Sequence, residues 1–502
     1  MPETADEADA RAAQEPVIGY LAGAACHDGT VPEHVETHLS HLFLAGDRVL
    51  KLKKALRWAM VDYLTPAQRE HFCRHEVAVN RAFAPEIYRG VLPVTREGGE
   101  LALGGAGEAV DFVVEMRRFA ADEQLDVMVD AGTITPEIID ATADVTAAMH
   151  RAARKVRRTD GAAAVAARVA QLARDVGASP AAPAADVAAF GSGADALVSR
   201  YGAALDRRAR HGFVKRCHGD LHLSNVCLWQ GRPTPFDAIE FSEEIATIDV
   251  LYDVAFLLVD LELRGRADLS TRLLSRYLGA TRDYRGLALM RLFKAQRAMV
   301  RALTRAAKGA DPGPEAAMAR ALVAPPPAAR LIAVGGLSGS GKTTVARAIA
   351  PALDAVVIRS DTVRKHLAGV APEERLDPSF YQPGYTGRVY RRMMVDARRA
   401  LGAGATVILD ATFTEPAMAA AAAALAADAG TAFHGLWLSA PAETLSARVA
   451  GRGRDASDAD AAVVARQVAR AGAAPAHWQA VDATGGPQAV ARRALDRLGA
   501  TP

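Results

Sequence analysis

The sequence predicts two folded domains, the second of which is an α/β domain with a parallel sheet flanked by helices. The chain has 502 residues, which is too long for a single hydrophobic core. In its later part, short apolar runs alternate with stretches of helical length, as parallel strands joined by crossover helices require. These runs are residues 331–334, 355–358, 406–409 and 435–438.

Proline-rich segments mark the predicted domain boundary. Residues 311–314 read Asp-Pro-Gly-Pro, and consecutive prolines at 325–327 favour an extended spacer just before the first of the apolar runs. We therefore predict an N-terminal extension, a first domain, a short linker and a second domain, at residues 1–34, 35–325, 326–329 and 330–502.

The charge balance argues against a polyanionic partner. The chain has 60 Lys and Arg against 58 Asp and Glu, a net charge of +2, so no strong positive field favours nucleic acid or an anionic membrane. We expect small molecules with a hydroxyl group as partners, and neither a membrane nor a nucleic acid. The sequence does not indicate an oligomeric state.

The cysteines and the N-terminal residues predict a cytoplasmic protein. The 4 cysteines have neither the spacing of a metal site nor that of a disulfide framework, so we interpret them as free thiols in a reducing compartment. The first residues are polar and acidic, unlike a secretory signal. No uninterrupted apolar segment has the length of a membrane span.

A phosphate-binding motif follows the first apolar run. Residues 336–343 fit the pattern G-x-x-x-x-G-K-S/T in full. The glycines let backbone N–H groups turn toward phosphate oxygens, Lys342 adds a catalytic charge for the β- and γ-phosphates, and Thr343 offers a hydroxyl to Mg²⁺. An ordinary Gly/Ser loop is the alternative, but strand and helix flank this one as the motif requires. The predicted nucleotide-binding residues are Gly336, Ser338, Gly339, Ser340, Gly341, Lys342, Thr343 and Thr344.

Charged residues follow the next two apolar runs. Asp361 is placed to accept the proton of an acceptor hydroxyl, and Arg364, one helical turn on, is a candidate to hold the acceptor or a phosphate on it. A helix N-cap is the alternative role of Asp361, and the two roles are compatible. Asp410 is a candidate for binding Mg²⁺ through water or for contacting the acceptor.

An arginine-rich segment with interspersed glycines at residues 448–455 predicts a mobile lid. Arginines that close over the transferring phosphoryl group would neutralise developing charge and exclude water. We assign Arg454 a catalytic role and Arg448 a substrate-binding role. A solvated basic turn is the alternative.

These elements resemble the P-loop kinases of small molecules and polynucleotides, a group that includes gluconate kinase, the kinase half of polynucleotide kinase and zeta-toxin-like enzymes. The resemblance covers about residues 330–500. It rests on the phosphate loop, on residues 359–364, on residues 410–412 and on residues 454–458. It implies phosphoryl transfer to a hydroxyl group and does not name the acceptor.

A second cluster of catalytic residue types lies in the middle of the chain. The tripeptide His-Gly-Asp at 218–220 is followed by Asn225 and by Asp237. One carboxylate can orient an acceptor hydroxyl and receive its proton, while an amide and a second carboxylate hold Mg²⁺ against the phosphates. We assign the first role to Asp220 and the second to Asn225 and Asp237.

A metal-hydrolase site is the alternative for this cluster. His218, Asp220 and His222 alternate, so they can share one face of an extended segment and bind a transition metal. No further histidine-rich cluster completes such a site, and a structural role for His218 in the loop is the simpler interpretation.

A predicted strand at residues 47–53 alternates apolar and basic residues, and Glu76 lies in a helix-like stretch at 72–84. These segments supply a candidate Lys–Glu pair of the kind that positions phosphates in kinase-like folds. Lys51 is our first choice and Lys53 the second, because period-two spacing puts both on one face. A solvated lysine on an edge strand is the alternative.

Together these residues resemble the aminoglycoside phosphotransferase family over roughly residues 35–300. The resemblance implies a bilobal α+β fold of the protein-kinase type, ATP and Mg²⁺ as cofactors, and a small acceptor. It also implies that backbone groups of Glu115 and Met116 contact adenine at a hinge between the lobes. One departure is clear, since no G-x-G-x-x-G precedes Lys51 and residues 37–42 carry Ser and His instead.

The sequence therefore predicts a bifunctional ATP-dependent kinase that transfers the γ-phosphoryl group to small-molecule hydroxyls at two sites. Three alternatives stay open. One domain is catalytically silent and regulates the other, or the P-loop domain is an ATP-hydrolysing switch, or it phosphorylates polynucleotide ends. A protein that phosphorylates polynucleotide ends is expected to have a basic stripe with interleaved aromatic residues, and this sequence lacks one.

Overall fold

The chain forms two compact units in the computed structural model, which describes residues 4–58, 61–179, 181–450, 457–458, 460–470 and 474–500. The first unit consists of residues 1–141, 148–159 and 207–257. The second unit consists of residues 142–147, 160–206 and 258–502. The proline-rich segment at 325–327 lies inside the second unit and not between the units. The predicted domain boundary at this segment stays a prediction.

The elements before residue 330 include both strands and helices, in runs of each kind. The strands are β1 (Glu33–Glu36), β2 (Ser40–Ala45), β3 (Arg48–Lys53), β4 (Arg57–Trp58), β5 (Val61–Asp62), β6 (Tyr88–Glu97), β7 (Glu100–Leu103), β8 (Glu108–Arg117), β9 (Val214–Arg216), β10 (Val226–Trp229), β11 (Arg232–Pro235) and β12 (Thr247–Asp249). The helices are α1 (Ala5–Ala22), α2 (Pro66–Asn80), α3 (Leu125–Asp130), α4 (Pro136–Ala152), α5 (Gly161–Gly177), α6 (Ala184–Arg210), α7 (Glu243–Ala246), α8 (Val250–Leu263), α9 (Ala267–Thr281), α10 (Met290–Ala307) and α11 (Gly313–Val323).

The first unit is organised around an antiparallel sheet with the strand order β1-β2-β3-β8-β6-β7. Helix α2 packs on this sheet, because Cys73 and Val77 share a core with Val49 of β3 and Val114 of β8. Thr65 caps the first turn of α2 with its side-chain oxygen. This packing lays α2 against the strand that carries the basic residues.

Two short antiparallel ladders follow in the first unit. Strand β9 pairs with β12, and β10 pairs with β11. Residues 217–225 connect β9 to β10, so the ladders hold both ends of the loop that carries the His-Gly-Asp tripeptide.

The second unit contains a parallel sheet in which helices connect the strands. The strands are β13 (Arg330–Gly336), β14 (Ala355–Arg359), β15 (Thr406–Asp410), β16 (Ala432–Ser439) and β17 (Gln479–Asp482). The helices are α12 (Lys342–Ile349), α13 (Ser360–Ala368), α14 (Pro383–Gly402), α15 (Pro416–Asp428), α16 (Ala442–Ala450), α17 (Ala461–Arg470) and α18 (Pro487–Arg497).

The strand order of this sheet is β14-β15-β13-β16-β17, and every pair is parallel. Residues 331–334 of β13 are fully buried, as expected for a strand covered on both faces. The carboxyl ends of the strands meet at one edge, beside the central β13, where such sheets bind ligands. The predicted strands all occur, and β17 was not predicted.

The predicted fold classes are confirmed. The later part is α/β with a parallel sheet, and the earlier part combines an antiparallel sheet with helices, as an α+β kinase-like fold requires. Within the described ranges, no helix has both the length and the apolar character needed to cross a bilayer.

Gly435 of β16 yields a prediction about stability. A Cβ at this position would collide with ring atoms of Trp478, so alanine must displace a rigid indole. We expect Gly435→Ala to destabilise the protein by about 1–3 kcal/mol, the usual cost of overpacking, and to lower the Tm measured by calorimetry. Gly402→Ala is the matched control, since a Cβ there meets nothing within 4 Å. Equal Tm values for the two variants would contradict the contact with Trp478.

Candidate active sites

Lys51 and Lys53 of β3 both reach Glu76 of α2. Lys51 Nζ lies 2.8 Å from Glu76 Oε1, and Lys53 Nζ lies 2.6 Å from Glu76 Oε2. Residues two apart along a strand share a face, which is why one carboxylate binds both ammonium groups. The structure thus brings the predicted Lys–Glu pair together and adds the second lysine to it.

Asp237 joins this assembly through Lys51, whose Nζ lies 2.6 Å from Asp237 Oδ1. Asp237 has a φ of 58°, in the left-handed region that non-glycine residues seldom adopt. Its N–H donates to the Tyr88 hydroxyl at 3.1 Å, and the N–H of Ala238 donates to Asn80 Oδ1 at 2.7 Å. These bonds hold the backbone in its strained conformation, with the Asp237 carboxylate beside Lys51.

Glu240 belongs to the same network, and sequence reasoning missed it. Lys53 Nζ lies 2.6 Å from Glu240 Oε1, and the two side chains are only 3% and 8% exposed. The bond ties strand β3 to the segment that follows Asp237. In the sequence, Glu240 is the second of two acids, after Asp237, in a segment with apolar neighbours. This pattern matches no named motif.

Mutual attraction keeps Glu76, Lys51 and Lys53 charged. Burial would raise the pKa of Glu76, but the ammonium groups of Lys51 and Lys53 outweigh it and lower that pKa to about 2. Burial also opposes the charge of each lysine, yet the surrounding carboxylates raise both lysine pKa values well above the ordinary value. Glu76 and the two lysines therefore carry fixed charge at neutral pH, whereas burial raises the pKa of Glu240.

Asn225 is hydrogen-bonded to Asp220 in the loop between β9 and β10. Its Nδ2 donates to Asp220 Oδ2 at 3.1 Å and to the Asp220 backbone carbonyl at 3.0 Å. The Asn225 carbonyl accepts a bond of 2.9 Å from the N–H of Phe236, the residue before Asp237. The predicted base and the predicted metal ligands therefore lie in one neighbourhood of the first unit.

Asp253 of α8 organises this loop, and sequence reasoning missed it as well. Its carboxylate accepts hydrogen bonds from the backbone N–H groups of His218 and Gly219 at 3.2 and 3.1 Å. His150 Nε2 lies 3.1 Å from Asp253 Oδ2. An acid in the first turn of a largely apolar helix was the local signal.

The placement of His218 fits a structural role. Its Nε2 lies 2.9 Å from the carbonyl oxygen of Phe236, and burial lowers the pKa of the ring. The residues of the metal-hydrolase alternative do not form a ligand group within the described part of the chain. The group of potential ligands that does lie within 4.8 Å of one another consists of His150, Cys217 and Asp253.

Glu115 and Met116 lie inside the sheet rather than at its end. Glu115 pairs with Leu50 of β3 and with Gly90 of β6, and Met116 is likewise paired on both sides. The chain leaves the sheet after Arg117. The ladder to β6 has an irregularity between Tyr88 and Gly90, the partners of Met116 and Glu115, and the contact of these two residues with adenine stays a prediction.

The phosphate loop adopts backbone conformations that favour glycine. Gly336, Gly339 and Gly341 have φ values of 140°, 83° and 86°. A Cβ on Gly339 would collide with the carbonyl group of Leu445, so no larger residue fits there. The loop thus has the turn that the motif predicts.

Ser338, Ser340 and Thr344 of the phosphate loop differ in burial and in hydrogen bonding. The N–H of Ser338 donates to Gln467 Oε1 at 2.8 Å. Ser340 Oγ is buried and has no hydrogen-bond partner among the described residues. Thr344 is exposed in the first turn of α12.

Thr343 and Asp410 are in direct contact. Thr343 Oγ1 donates to Asp410 Oδ2 at 2.6 Å, and Arg359 Nε lies 3.3 Å from the same oxygen. The parallel register causes this, since Asp410 is level with Val334 of β13 and with Arg359 of β14. Lys342 opens α12, and its Nζ donates to the carbonyl of Leu337 at 2.8 Å.

Asp361 lies half-buried in the first turn of α13. Burial raises the pKa of its carboxyl, and the nearby cations Arg359, Arg364 and Lys342 offset this only in part. The helix begins at Ser360 with Arg359 in the N-cap position, so the alternative role of Asp361 as the N-cap is not observed. A carboxyl with a raised pKa among cations is suited to accept a proton.

Arg364 is fixed by the segment that follows α13. Its NH1 donates to the carbonyl of Phe380 at 2.6 Å and to Thr386 Oγ1 at 3.2 Å. The guanidinium lies over the ring of Tyr381, 4.7 Å from the centroid. The position of this predicted acceptor-binding residue therefore depends on residues 380–386.

The predicted lid is described only in part. Arg454 lies outside the described residues. Arg448 NH2 donates to the carbonyl of Gly485 at 3.1 Å. Asp458 accepts bonds from Lys365 Nζ at 2.7 Å and from the Tyr381 hydroxyl at 2.5 Å, which joins it to the acceptor side of the site.

The donor sets fit Mg²⁺ and a nucleotide. Magnesium prefers oxygen ligands, which Asn225 and Asp237 offer in the first unit and Thr343 and Asp410 offer in the second. The unsatisfied Ser340 hydroxyl and the closely packed glycine backbone fit a loop that binds phosphate oxygens. A magnesium ion held by these residues would neutralise phosphate charge.

The folds and the residues at both sites define two parts, in which an α+β part with a Lys–Glu–Asp network precedes an α/β part with a phosphate loop. Residues 331–474 match the family described as AAA domain. The uncharacterized protein Rv2004c of Mycobacterium tuberculosis is 33% identical over 460 residues, which cover 87% of this chain and 89% of that protein. The chain therefore belongs to the family of this mycobacterial protein.

Solved structures resemble each part of the chain. A sugar kinase of Janibacter sp. HTCC2649 is 22% identical, with a TM-score of 0.27, and the match covers 35% of this chain and 96% of that one. A choline/ethanolamine kinase family protein of Mesorhizobium loti is 16% identical, with a TM-score of 0.39, and the match covers 62% of this chain and 96% of that one.

Glu76→Gln tests the buried network. We expect a loss of about 3–5 kcal/mol at pH 7, because buried ammonium groups lose a charged partner. The folded-state pKa of Glu76 is lowered from 4.5 to about 2, so its stabilising contribution is complete above pH 4.5 and is lost as the pH falls through 2. The Tm difference from wild type should be largest at pH 7 and should shrink in acid.

Glu70→Gln on the same helix is the matched control. Glu70 forms an exposed pair with Arg74, with its Oε1 2.7 Å from Arg74 NH2, and removing such a pair costs about 0–1 kcal/mol. A Tm difference for Glu76→Gln that grows as the pH falls would contradict the assigned charge state.

Proposed function

We propose that this chain is a bifunctional phosphotransferase in which each unit transfers the γ-phosphoryl group of ATP to a hydroxyl of a small molecule. The observation that carries the proposal is the pair of charged assemblies described above. Lys51 bridges Glu76 and Asp237 in the first unit, and Thr343 contacts Asp410 in the second. Phosphoryl transfer depends on such positioning and on charge neutralisation, rather than on covalent chemistry by the protein.

In the first site, Lys51 held by Glu76 positions the phosphates, and Asn225 and Asp237 hold Mg²⁺. Asp220 accepts the proton of the acceptor hydroxyl as its oxygen attacks the γ-phosphorus. The bond from the γ-phosphorus to the bridging oxygen breaks, and ADP leaves with that electron pair. The Asp220 side chain is 36% exposed, so an acceptor has access to it.

In the second site, Lys342 and the loop N–H groups bind the phosphates, and Thr343 and Asp410 hold Mg²⁺. Asp361 accepts the proton of the acceptor hydroxyl, and Arg364 binds the acceptor. Arg448 and Arg454 remain proposed contributors from the lid. The balanced charge of the chain supports small molecules over polynucleotide ends as acceptors.

Asp220→Asn and Lys342→Ala separate the two proposed activities. The measurement is a metabolite-library screen with γ-labelled ATP, run in parallel on wild type and both variants. We expect Asp220→Asn to bind ATP but to lose one set of products by about 100-fold or more, because the base is gone. Lys342→Ala should lose the other set, because phosphate binding at the P-loop is gone.

Asp122→Asn and Lys308→Ala are the controls, since both side chains are exposed and neither has a role in the proposed mechanism. Unchanged products in Asp220→Asn would remove Asp220 from the mechanism. A single set of products would support the alternative in which one unit is silent. ADP release that no acceptor increases would support an ATP-hydrolysing switch.

The raised pKa of Asp361 yields a prediction about pH. A general base must be deprotonated, so kcat/KM of the Lys342-dependent reaction should fall as the pH falls through this pKa, which burial holds above 3.8. Asp361→Asn should slow the reaction by about 100-fold or more, and its residual rate should lack this acidic limb. If kcat/KM of the variant still falls at low pH in the same way, the titrating group is not Asp361.

A further inference from the structure

Helix α9 covers the outer edge of the parallel sheet in the second unit. Strand β14 is the outermost strand, so one row of its backbone groups faces away from the sheet. The N–H of Val357 in this strand donates to Ser275 Oγ of α9 at 3.1 Å. A side chain from outside the sheet thus satisfies an edge-strand donor and fixes the helix against the strand.

The same helix packs closely against α13. A Cβ on Gly279 of α9 would lie 3.4 Å from Thr362 Cγ2, which is ordinary van der Waals contact with little space to spare. Thr362 is the neighbour of Asp361, the proposed base. Helices α9 and α13 are therefore in contact beside the proposed base.

Arg276 of α9 joins two carboxylates. Its NH2 lies 2.6 Å from Asp144 Oδ2, and its NH1 lies 2.7 Å from Glu373 Oε1. The arginine side chain is 10% exposed, whereas its partners Asp144 and Glu373 are 41% and 43% exposed, so the guanidinium is largely buried and both carboxylates reach solvent. Planar bidentate pairing of this kind also fixes geometry.

The end of α9 is bound to the helix that follows the acceptor-side segment. Arg282 NH2 donates to the Asp396 carboxylate of α14, and these side chains are 8% and 0% exposed. Arg276 thus binds Glu373, just before residues 374–395, and Arg282 binds Asp396, just after them. That stretch includes Phe380, whose carbonyl accepts a hydrogen bond from Arg364.

We propose that α9 is part of the acceptor side of the P-loop site and that Arg276 is a positioning residue, which holds residues 370–386 through Glu373. The inference rests on the proposed function of that site. It extends the site beyond residues 331–474, which match the AAA domain family. Arg276 acts through Glu373 and the segment that supports Arg364, and not through contact with ATP.

Hydrogen–deuterium exchange of the full-length protein tests this positioning without an acceptor. We expect Glu373→Ala to raise exchange in residues 370–386 by about 3- to 10-fold, because the segment loses its anchor, and to leave residues 336–349 unchanged. Arg276→Gln should have the same effect. Exchange at 370–386 equal to wild type in both variants would overturn the proposal.

Neighbouring residues provide matched controls. Glu374 is exposed beside Glu373, so Glu374→Ala repeats the substitution one residue away. Arg266 lies just before α9 and pairs with Asp268 at 3.0 Å, so Arg266→Gln removes a surface arginine without touching the P-loop site. An equal rise in exchange in these controls would also overturn the proposal.

Kinetics with the acceptor found in the screen provide the second readout. Glu373→Ala should raise the KM for that acceptor by about 3- to 10-fold and change the KM for ATP and kcat by less than about 2-fold. An unchanged acceptor KM would overturn the positioning role. If no acceptor is phosphorylated at the P-loop site, the proposed function fails, and the exchange data still decide whether α9 positions the segment.

Discussion

The shared burial of opposite charges is the constraint on which the rest of the first site depends. Lys51, Lys53, Glu76 and Glu240 form one buried network in which each charge has a partner of the opposite sign, and Asp237, which is 45% exposed, joins it through Lys51. Buried charges are costly unless they are paired and hydrogen-bonded. Strand β3, helix α2 and the segment at 237–240 therefore hold each other in place, and the geometry needed for phosphate binding is part of what stabilises the unit.

The parts of the structure that local spacing determines were predictable. The phosphate loop is contiguous, so its turn, its lysine and its hydroxyl can all be identified within residues 336–343. Lys51 and Lys53 share a face because strands have a period of two, and both contact Glu76. The position of Asp410 near Thr343 follows from parallel strands that end at one edge.

Contacts between distant residues were not predictable, because no spacing rule connects their positions. Lys53 and Glu240 are 187 residues apart, and Asn80 bonds Ala238 across 158 residues. Asp253 matches no motif, although it holds the loop that carries Asp220.

Helix α9 precedes the proline-rich segment in sequence but belongs to the second compact unit. A domain boundary defined by the sequence therefore differs here from one defined by packing. Prolines at 325–327 mark where the chain becomes extended, which is a local property of the sequence. The limits of a compact unit depend instead on which exposed backbone groups and apolar surfaces other elements must pack against. The edge strand β14 has such unpaired backbone groups. The match to the mycobacterial relative spans 460 residues, so it necessarily includes sequence before the P-loop as well as after it. A P-loop sheet whose edge is satisfied by Ser275 is physically complete only together with that preceding sequence.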